Sequence, residues 1–291
     1  MAMRSRRQPN PEPGARRRSG FTLVELLVVV AVVAVLLSVA LPAIAGVRSA
    51  GARARELAAA RSLVAAWQSY SHDSGGALLP GYRAGLSAYD ARGTPIAEQT
   101  IGVAAHRWVW RLAPYLGHDL DELFVGNHGL ALRELERSDL SDYLYQSSLF
   151  PSFGLNSVFV GGDESFGGFN AAFLGLFGKF HATRLSEIGQ PASLVVFASS
   201  RGKDPAISGD ESVDGFFRIR APYFDVRVWA GAYDEADPAS FGNVARRHGG
   251  AVATGFADGH VEARSPESLD DMRLWAPAAD ARDWRLRPSG G

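Results

Sequence analysis

Residues 20–47 read GFTLVELLVVVAVVAVLLSVALPAIAGV, and this stretch decides the fold. From Leu26 to Val47 there are 22 consecutive residues without a charge. An α-helix rises about 1.5 Å per residue, so this run would be about 33 Å long, enough to cross a hydrocarbon core of roughly 30 Å. The sequence therefore predicts a transmembrane helix over residues 21–47.

An acidic residue, Glu25, stands at the start of the apolar run. A carboxylate at the edge of lipid is costly and usually has a partner and a function. Cleavage after Gly20 would supply a partner, because it would create a positive α-amine on Phe21. That amine would lie one helical turn from Glu25 in the same chain, or would face it from a neighbouring chain.

The sequence Gly20-Phe21-Thr22-Leu23-Val24-Glu25-Leu26-Leu27 resembles the processing and methylation site of type IV prepilins and of type II secretion pseudopilins. The resemblance implies that a prepilin peptidase cleaves after Gly20 and methylates Phe21. It also implies that Glu25 pairs with the amine of an adjacent subunit during assembly. Pro42 lies where many pilin helices carry a proline, which removes a backbone hydrogen bond and bends the helix.

An ordinary signal anchor is the alternative interpretation of this region. It explains the apolar run and the arginines, but not an acid at the fifth residue after a Gly-Phe junction. A cleaved secretory signal fits poorly, because its apolar region spans only about 7–15 residues. The leader, residues 1–20, holds six Arg against one Glu. Positive flanks stay cytoplasmic, which predicts a single-pass protein of the inner membrane with its N-terminus inside.

Charge and cysteine content restrict the class of protein. Residues 1–61 contain ten Arg and three Glu, whereas residues 62–291 contain 20 basic and 28 acidic residues. An acidic outer part argues against a nucleic-acid-binding surface, which needs clustered basic side chains. The arginines near the membrane are better explained by contacts with lipid headgroups. The chain has no Cys, so disulfides and thiol catalysis are excluded.

The anchor helix is predicted to continue beyond the membrane over residues 48–74. Leu57, Ala60, Val64 and Trp67 recur at three- and four-residue spacing and should face a core, while Ser74-Gly75-Gly76 should end the helix. The predicted organisation is a basic leader (1–20), a transmembrane helix (21–47), its exposed continuation (48–74) and a globular head (75–291). The predicted fold class is α+β, a pilin-like long N-terminal helix packed on a head with an antiparallel sheet.

Local patterns in the head predict short elements. Residues 106–116 and Leu130–Ser138 favour helices. Four β-type runs predict strands: Leu194–Ala198, Phe216–Ile219, Val226–Trp229 and Ala251–Phe256. The Gly- and Phe-rich stretch over residues 150–180 predicts irregular structure packed on the sheet, with a subunit contact surface as the alternative.

A second motif lies near the C-terminus, where His248 and Asp258-Gly259 are separated by nine residues and followed by His260. The spacing resembles the His-x9-Asp-Gly signature of a large group of bacterial prepilin-type proteins, as do Trp110–Leu116, Phe153–Asn156 and Pro191–Ala198. That group often carries an aspartate where this chain has Ser199. Asp258-Gly259 also predicts a two-residue hairpin turn with positive φ at both positions.

His248, Asp258 and His260 have two possible roles, one chemical and one structural. Two imidazoles and a carboxylate can bind a divalent ion and leave a water exposed, which would make a metal or hydrolytic site. The favoured alternative is structural, with Asp258 building the turn and His248 bonding to backbone of the adjoining loop. No nucleophile-elbow pattern, His-Glu-x-x-His run or phosphate loop appears elsewhere in the sequence.

An acidic loop is a candidate calcium site. Asp204, Asp210, Glu211 and Asp214 supply oxygen ligands in a Gly-containing loop, and Glu235 and Asp237 lie on a neighbouring loop. The spacing does not match an EF-hand, and a solvated acidic loop is the simpler explanation. Apart from this loop, the sequence predicts no cofactor.

The sequence thus predicts a non-enzymatic, pilin-like structural subunit. Its expected partners are the prepilin peptidase, other pilin or pseudopilin subunits and the lipid bilayer, with no nucleic acid. The assembly would be a type IV pilus or a type II secretion pseudopilus. Two hypotheses compete with it: a monomeric membrane-anchored binding module, which would not need Glu25, and an envelope metal-dependent hydrolase using the C-terminal motif.

Overall fold

The computed structural model describes residues 21–90, 92–117, 120–125 and 127–289. The chain divides into two compact units, Met1–Arg48 and Ser49–Gly291, called here the N-terminal unit and the globular unit. The leader, including Gly20, lies outside the described residues.

A single long helix, α1 (Leu23–Asp73), begins in the N-terminal unit and ends in the globular unit. In the N-terminal unit its large apolar side chains are exposed, as at Leu27, Val35 and Leu41. By length and composition this helix can cross a membrane. The backbone stays helical through Pro42, so the proline does not end the helix.

Two glycines end α1. Gly75 and Gly76 both have positive φ, at 61° and 86°, and the Gly76 amide donates to the Ser71 carbonyl at 2.7 Å. A left-handed residue past the last turn satisfies carbonyls that the helix leaves unpaired. The predicted helix end is confirmed.

The apolar stripe of α1 in the globular unit is buried as predicted. Ala60, Val64 and Trp67 have no solvent exposure, and Leu57 is half-buried. Burying one large apolar side chain stabilises a fold by roughly 1.5–3 kcal/mol, so this stripe fixes residues 57–67 to the core. The arginines at 53, 55 and 61 stay exposed on the other faces.

The main sheet of the globular unit is antiparallel and has four strands in the order β3-β4-β7-β8. These strands are β3 (Phe153–Leu155), β4 (Val195–Ser199), β7 (Val252–Phe256) and β8 (Val261–Arg264). Two further antiparallel pairs join β1 (Ala88–Tyr89) to β2 (Pro95–Ile96) and β5 (Arg201–Gly202) to β6 (Val213–Asp214).

Short helices connect the strands. The α-helices after α1 are α2 (Glu98–Ile101), α3 (Val109–Leu112), α4 (Asn127–Ser138), α5 (Leu140–Leu149) and α6 (Ala171–Phe177). The 3-10 helices cover Gly102–His106, Ala113–Tyr115, Leu120–Leu123, Glu164–Phe166, Leu185–Glu187, Pro238–Phe241, His248–Gly250, Pro266–Leu269 and Met272–Leu274.

Both faces of the sheet are covered. Ala253 of β7 belongs to the core that contains Val64 and Trp67 of α1, whereas Val252 and Phe256 belong to a second core around Trp275. This division follows the alternation of side chains along a strand. The α+β class, with a long helix packed on an antiparallel sheet, is confirmed.

Several of the predicted strands and helices were confirmed. The strands predicted at Leu194–Ala198 and Ala251–Phe256 are β4, which is shifted by one residue at both ends, and β7, which begins one residue later. The helix predicted over Leu130–Ser138 is α4, which begins three residues earlier. Residues 106–116 are helical only in pieces, since α3 is followed by a 3-10 helix containing Pro114.

Two predicted strands were wrong. Phe216–Ile219 forms a single bridge, between Arg218 and Leu155, and then leaves the edge of β3. Val226–Trp229 folds into a tight turn, because the Pro222 carbonyl accepts the amides of both Val228 and Trp229. Short apolar runs do not distinguish a strand from a buried turn.

Candidate functional site

The first turn of α1 closes on itself through Thr22 and Glu25. The amide and the hydroxyl of Thr22 each donate to Oε2 of Glu25 at 2.8 Å, and the Glu25 amide donates to the Thr22 hydroxyl at 3.2 Å. This reciprocal arrangement is a capping box, which satisfies orphan amides at a helix N-terminus. The carboxylate also opposes the positive end of the helix dipole.

The capping box places Glu25 beside the predicted cleavage junction. Phe21 precedes the Thr22 amide that contacts Glu25, and its side chain is 78% exposed. A new amine on Phe21 would therefore arise one residue before a group already bonded to this carboxylate. Sequence reasoning singled out Glu25 and Phe21 but missed Thr22, although the Thr-x-x-Glu spacing was a usable signal.

The Asp258-Gly259 part of the C-terminal motif lies in the hairpin loop between β7 and β8. The Gly259 amide donates to the Phe256 carbonyl at 3.0 Å, and the Phe256 amide donates to the His260 carbonyl at 3.0 Å. Gly259 has φ of 101°, while Asp258 has negative φ. The loop thus holds three residues and a glycine at the bulge position, so the predicted two-residue turn was wrong.

Asp258 and His260 interact directly across this loop. Oδ1 of Asp258 accepts the His260 amide at 3.0 Å and lies 2.6 Å from the imidazole Nδ1. The imidazole stacks on the Phe256 ring at 4.2 Å between centroids. Burial raises the pKa of Asp258, but the hydrogen bonds from the His260 amide and ring outweigh it and lower the pKa below its usual value.

His248 does not join this pair. It lies in the 3-10 helix before β7, whereas Asp258 and His260 follow β7. A five-residue strand spans about 17 Å at roughly 3.4 Å per residue, so the imidazole of His248 is held near the opposite end of the strand. Within the described residues, no group of three or more His, Asp or Glu side chains is placed to bind a metal ion.

The acidic loop is organised by its own hydrogen bonds. Asp204 accepts the Ala206 amide at 2.9 Å, and the Ser208 hydroxyl donates to the Glu211 carbonyl at 2.8 Å. Asp214 lies on β6, where its Oδ1 is 3.8 Å from Nε of Arg247. Asp210 is exposed at the tip, and the described part of the chain does not gather these carboxylates into a calcium site.

The neighbouring carboxylates are also engaged. Glu235 forms an ion pair with Arg246 at 3.6 Å. Asp237 accepts the Ala239 amide at 3.0 Å and caps a 3-10 helix. Neither carboxylate completes a metal site with the acidic loop.

A buried charge cluster was missed by sequence reasoning. Glu56 of α1 is 2% exposed, and its Oε1 accepts from the Ser199 hydroxyl at 2.7 Å and from Nη1 of Arg247 at 2.8 Å. Nη2 of Arg247 donates to the Ser200 carbonyl at 2.6 Å. The signal was an acid on the core-facing stripe of α1, one turn before Ala60.

Ser199 links this cluster to the sheet. It stands at the end of β4 and accepts the Ala253 amide from β7 at 3.1 Å while donating to Glu56. The resemblance of the C-terminal motif predicted that an aspartate is often found at this position. In this chain the buried carboxylate near this position belongs to Glu56 of α1. The Ser199 hydroxyl connects it by hydrogen bonds to the Ala253 amide of β7.

The model of the prokaryotic N-terminal methylation motif matches residues 15–41. This match supports a prepilin-type protein, and together with one apolar N-terminal helix it is consistent with a single-pass membrane anchor. The match does not include the C-terminal motif. No curated protein and no solved structure matches the chain significantly.

Proposed function

We propose that this chain is a pilin-like structural subunit that prepilin peptidase cleaves after Gly20 and methylates at Phe21. The observation that carries the proposal is the methylation motif at residues 15–41. Within it, the Thr22–Glu25 capping box places a carboxylate one turn inside the start of an apolar helix. A structural subunit of this kind needs no catalytic residues.

Before processing, the subunit is held in the inner membrane with the leader inside and the globular unit outside. The six arginines of the leader support this orientation, since basic flanks are retained in the cytoplasm. The exposed apolar side chains of the N-terminal unit suit first a lipid environment and then the packing of neighbouring helices.

After processing, the apolar helices assemble into a type IV pilus or a type II secretion pseudopilus. Glu25 pairs with the Phe21 amine of an adjacent subunit, which gives a desolvated carboxylate a cationic partner. The grouping with proteins that carry the His-x9-Asp-Gly signature is part of the proposal. In this chain the signature builds the β7–β8 hairpin next to Gln68 of α1, whose amide donates to the Ala257 carbonyl at 3.1 Å.

The hydrolase hypothesis lacks a geometric basis. A zinc-type site needs at least three ligands around one point, and His248 stands at the other end of β7 from Asp258 and His260. The bonded pair of Asp258 and His260 is accounted for by the turn that it stabilises.

The intact mass and N-terminal residue of the protein recovered from membranes test the proposal. With prepilin peptidase present, we expect a chain that begins at N-methylated Phe21. Without the peptidase, or with Gly20→Asp, we expect the full-length chain. A chain that keeps its original N-terminus in the presence of an active peptidase would refute the proposal.

A further inference from the structure

A cavity of about 420 Å³ opens in the globular unit beside the end of α1. One side is formed by Tyr70 of α1 and another by the β1–β2 hairpin. The third side is formed by α3 and by the 3-10 helix that directly follows it. The described lining residues are Tyr70, Leu86, Ser87, Tyr89, Gly93, Arg111, Pro114 and Tyr115.

Arg111 is the single charged side chain in this lining, and it is only 4% exposed. Nη2 donates to the carbonyls of Pro80 at 2.8 Å and His106 at 2.7 Å, and Nη1 donates to the Ala105 carbonyl at 3.1 Å. Its Nε has no acceptor among the described residues. Three of the five guanidinium N–H groups are thus used, and the two that remain are on Nε, which is itself buried, and on Nη1.

The charge of Arg111 is also unbalanced. No carboxylate of the described residues forms an ion pair with it, unlike Arg218 with Asp163 or Arg247 with Glu56. Burial lowers the pKa of Arg111 to about 10, so the group is still cationic at neutral pH. A buried cation without a counter-ion is costly, and the cost falls when an anion binds beside it.

Three tyrosines contribute to the surface of the cavity. Tyr70 and Tyr115 meet edge to face at 5.7 Å between ring centroids, and both are half-buried, as is Tyr89. Neither the Tyr70 nor the Tyr89 hydroxyl has a hydrogen-bond partner among the described residues. Ser87 adds another exposed hydroxyl. Such rings offer an apolar face and a polar edge to the same ligand.

We propose that this cavity binds a carboxylated sugar, with the carboxylate on Arg111 and the sugar ring against the tyrosines. The unused Nη1 N–H can donate to one oxygen of a carboxylate, while a phosphate dianion would call for a second cation. The hydroxyl groups of tyrosine and serine suit a polyhydroxylated ring, and a cavity of this size holds one or two sugar units. The globular unit would then recognise an acidic polysaccharide, whether or not the subunit is processed.

Isothermal titration of the full-length protein in detergent micelles with trigalacturonate tests this assignment, with maltotriose as the neutral comparison. We expect trigalacturonate to bind at least tenfold more tightly than maltotriose. Tyr89→Ala should weaken trigalacturonate binding at least tenfold, and so should Arg111→Lys, which keeps the charge but loses the Nη1 donor. Tyr223→Ala, a half-buried tyrosine outside the cavity, is the matched control and should bind as the unmodified protein does.

Three results would overturn the proposal. One is the absence of trigalacturonate binding by the unmodified protein, and another is equal affinity for the neutral trisaccharide. The third is equal affinity for sodium acetate, which would show a simple anion site. Because Arg111 also holds three carbonyls, Tyr89→Ala decides the outcome if Arg111→Lys does not fold. Processing at Gly20 is measured separately by mass, so failure here leaves the proposed function unaffected.

Discussion

The carboxylate of Glu56 and the guanidinium of Arg247 form a buried ion pair at 2.8 Å that ties α1 to the segment entering β7. The two residues are 191 positions apart in the sequence, and both side chains are less than one-tenth exposed. The Ser199 hydroxyl and the Ser200 carbonyl complete the cluster, so helix, β4 and β7 meet at one polar point inside an apolar interface.

Removing one member of this pair should be more damaging than removing both. In Glu56→Ala the buried guanidinium of Arg247 would keep only the exposed carboxylate of Asp214, at 3.8 Å, and losing the partner of a buried charge typically costs about 3–5 kcal/mol. The double variant Glu56→Leu, Arg247→Met should recover part of that loss, because no unpaired charge remains. Urea unfolding of the full-length protein in detergent, followed by tryptophan fluorescence, measures the difference.

A matched control is Glu134→Ala. Glu134 also pairs with an arginine, at 3.6 Å, but both side chains are more than 70% exposed on α4, so the loss should stay within about 0.5 kcal/mol. Equal effects of Glu56→Ala and Glu134→Ala would contradict the importance assigned to the buried pair.

The orientation of α1 towards the core could be predicted from the sequence, whereas the Glu56–Arg247 cluster could not. The Ala60–Val64–Trp67 stripe marks which side of α1 faces the core, because helical periodicity depends on neighbouring residues. The pairing of Glu56 with Arg247 depends on the register of β7 against β4 and on where α1 crosses them. Those are long-range relationships, and the short apolar runs at Phe216–Ile219 and Val226–Trp229 show how weak local patterns are there.

A second prediction concerns Gly255, where α1 lies against β7. A Cβ at this position would stand 2.5 Å from Cγ2 of Val64, closer than packed carbon atoms approach. Gly255→Ala should therefore push the helix from the strand and destabilise the globular unit by about 1–3 kcal/mol. Gly189→Ala, where a Cβ would meet nothing within 4 Å, should change stability little. Urea midpoints of the two variants give the comparison, and equal midpoints would refute this account of the interface.

The candidate functional residues divide in the same way. Phe21 and Glu25 could be proposed from the sequence because the processing motif is contiguous and its chemistry is local. Arg111 lies within the Trp110–Leu116 motif, but the sequence predicts no role for it, since its burial and its lack of a carboxylate partner among the described residues are visible only in the fold. The roles of His248 and Asp258 could not be separated by spacing alone, because nine residues can either return to the same end of a strand or span it.

A third prediction is a loss of stability in acid centred on His181. The imidazole is 4% exposed, packs on Phe180 at 4.9 Å, and has no hydrogen-bond partner for either ring nitrogen among the described residues. Burial, and then the charge of Lys179, lower its pKa from 6.5 to about 4. The folded state thus favours the neutral ring, and the unfolded state binds the proton more readily.

The stabilisation from neutral His181 is therefore fully present above pH 6.5 and is lost as the pH falls towards 4, by at most about 3 kcal/mol. His181→Phe keeps the ring volume and removes the titration. The difference in unfolding free energy between pH 7 and pH 4.5 should be smaller in this variant than in the unmodified protein. An unchanged difference would show that other groups cause the acid sensitivity.

The last prediction separates the charge of Glu25 from its role as a helix cap. In Glu25→Gln the amide oxygen can still accept from the amide and hydroxyl of Thr22, so the first turn of α1 should persist while the negative charge is lost. Under the proposed function, the variant should be cleaved after Gly20 but should not assemble. Thr22→Val is the matched control, because it loses the hydroxyl but keeps the carboxylate and should still assemble.

The chain has no Cys, so a single pair of introduced cysteines in the apolar helix reports subunit contacts by disulfide crosslinking. Crosslinking of Glu25→Gln at the level of the unmodified protein would contradict the role of the carboxylate in assembly and would favour a membrane-anchored monomer.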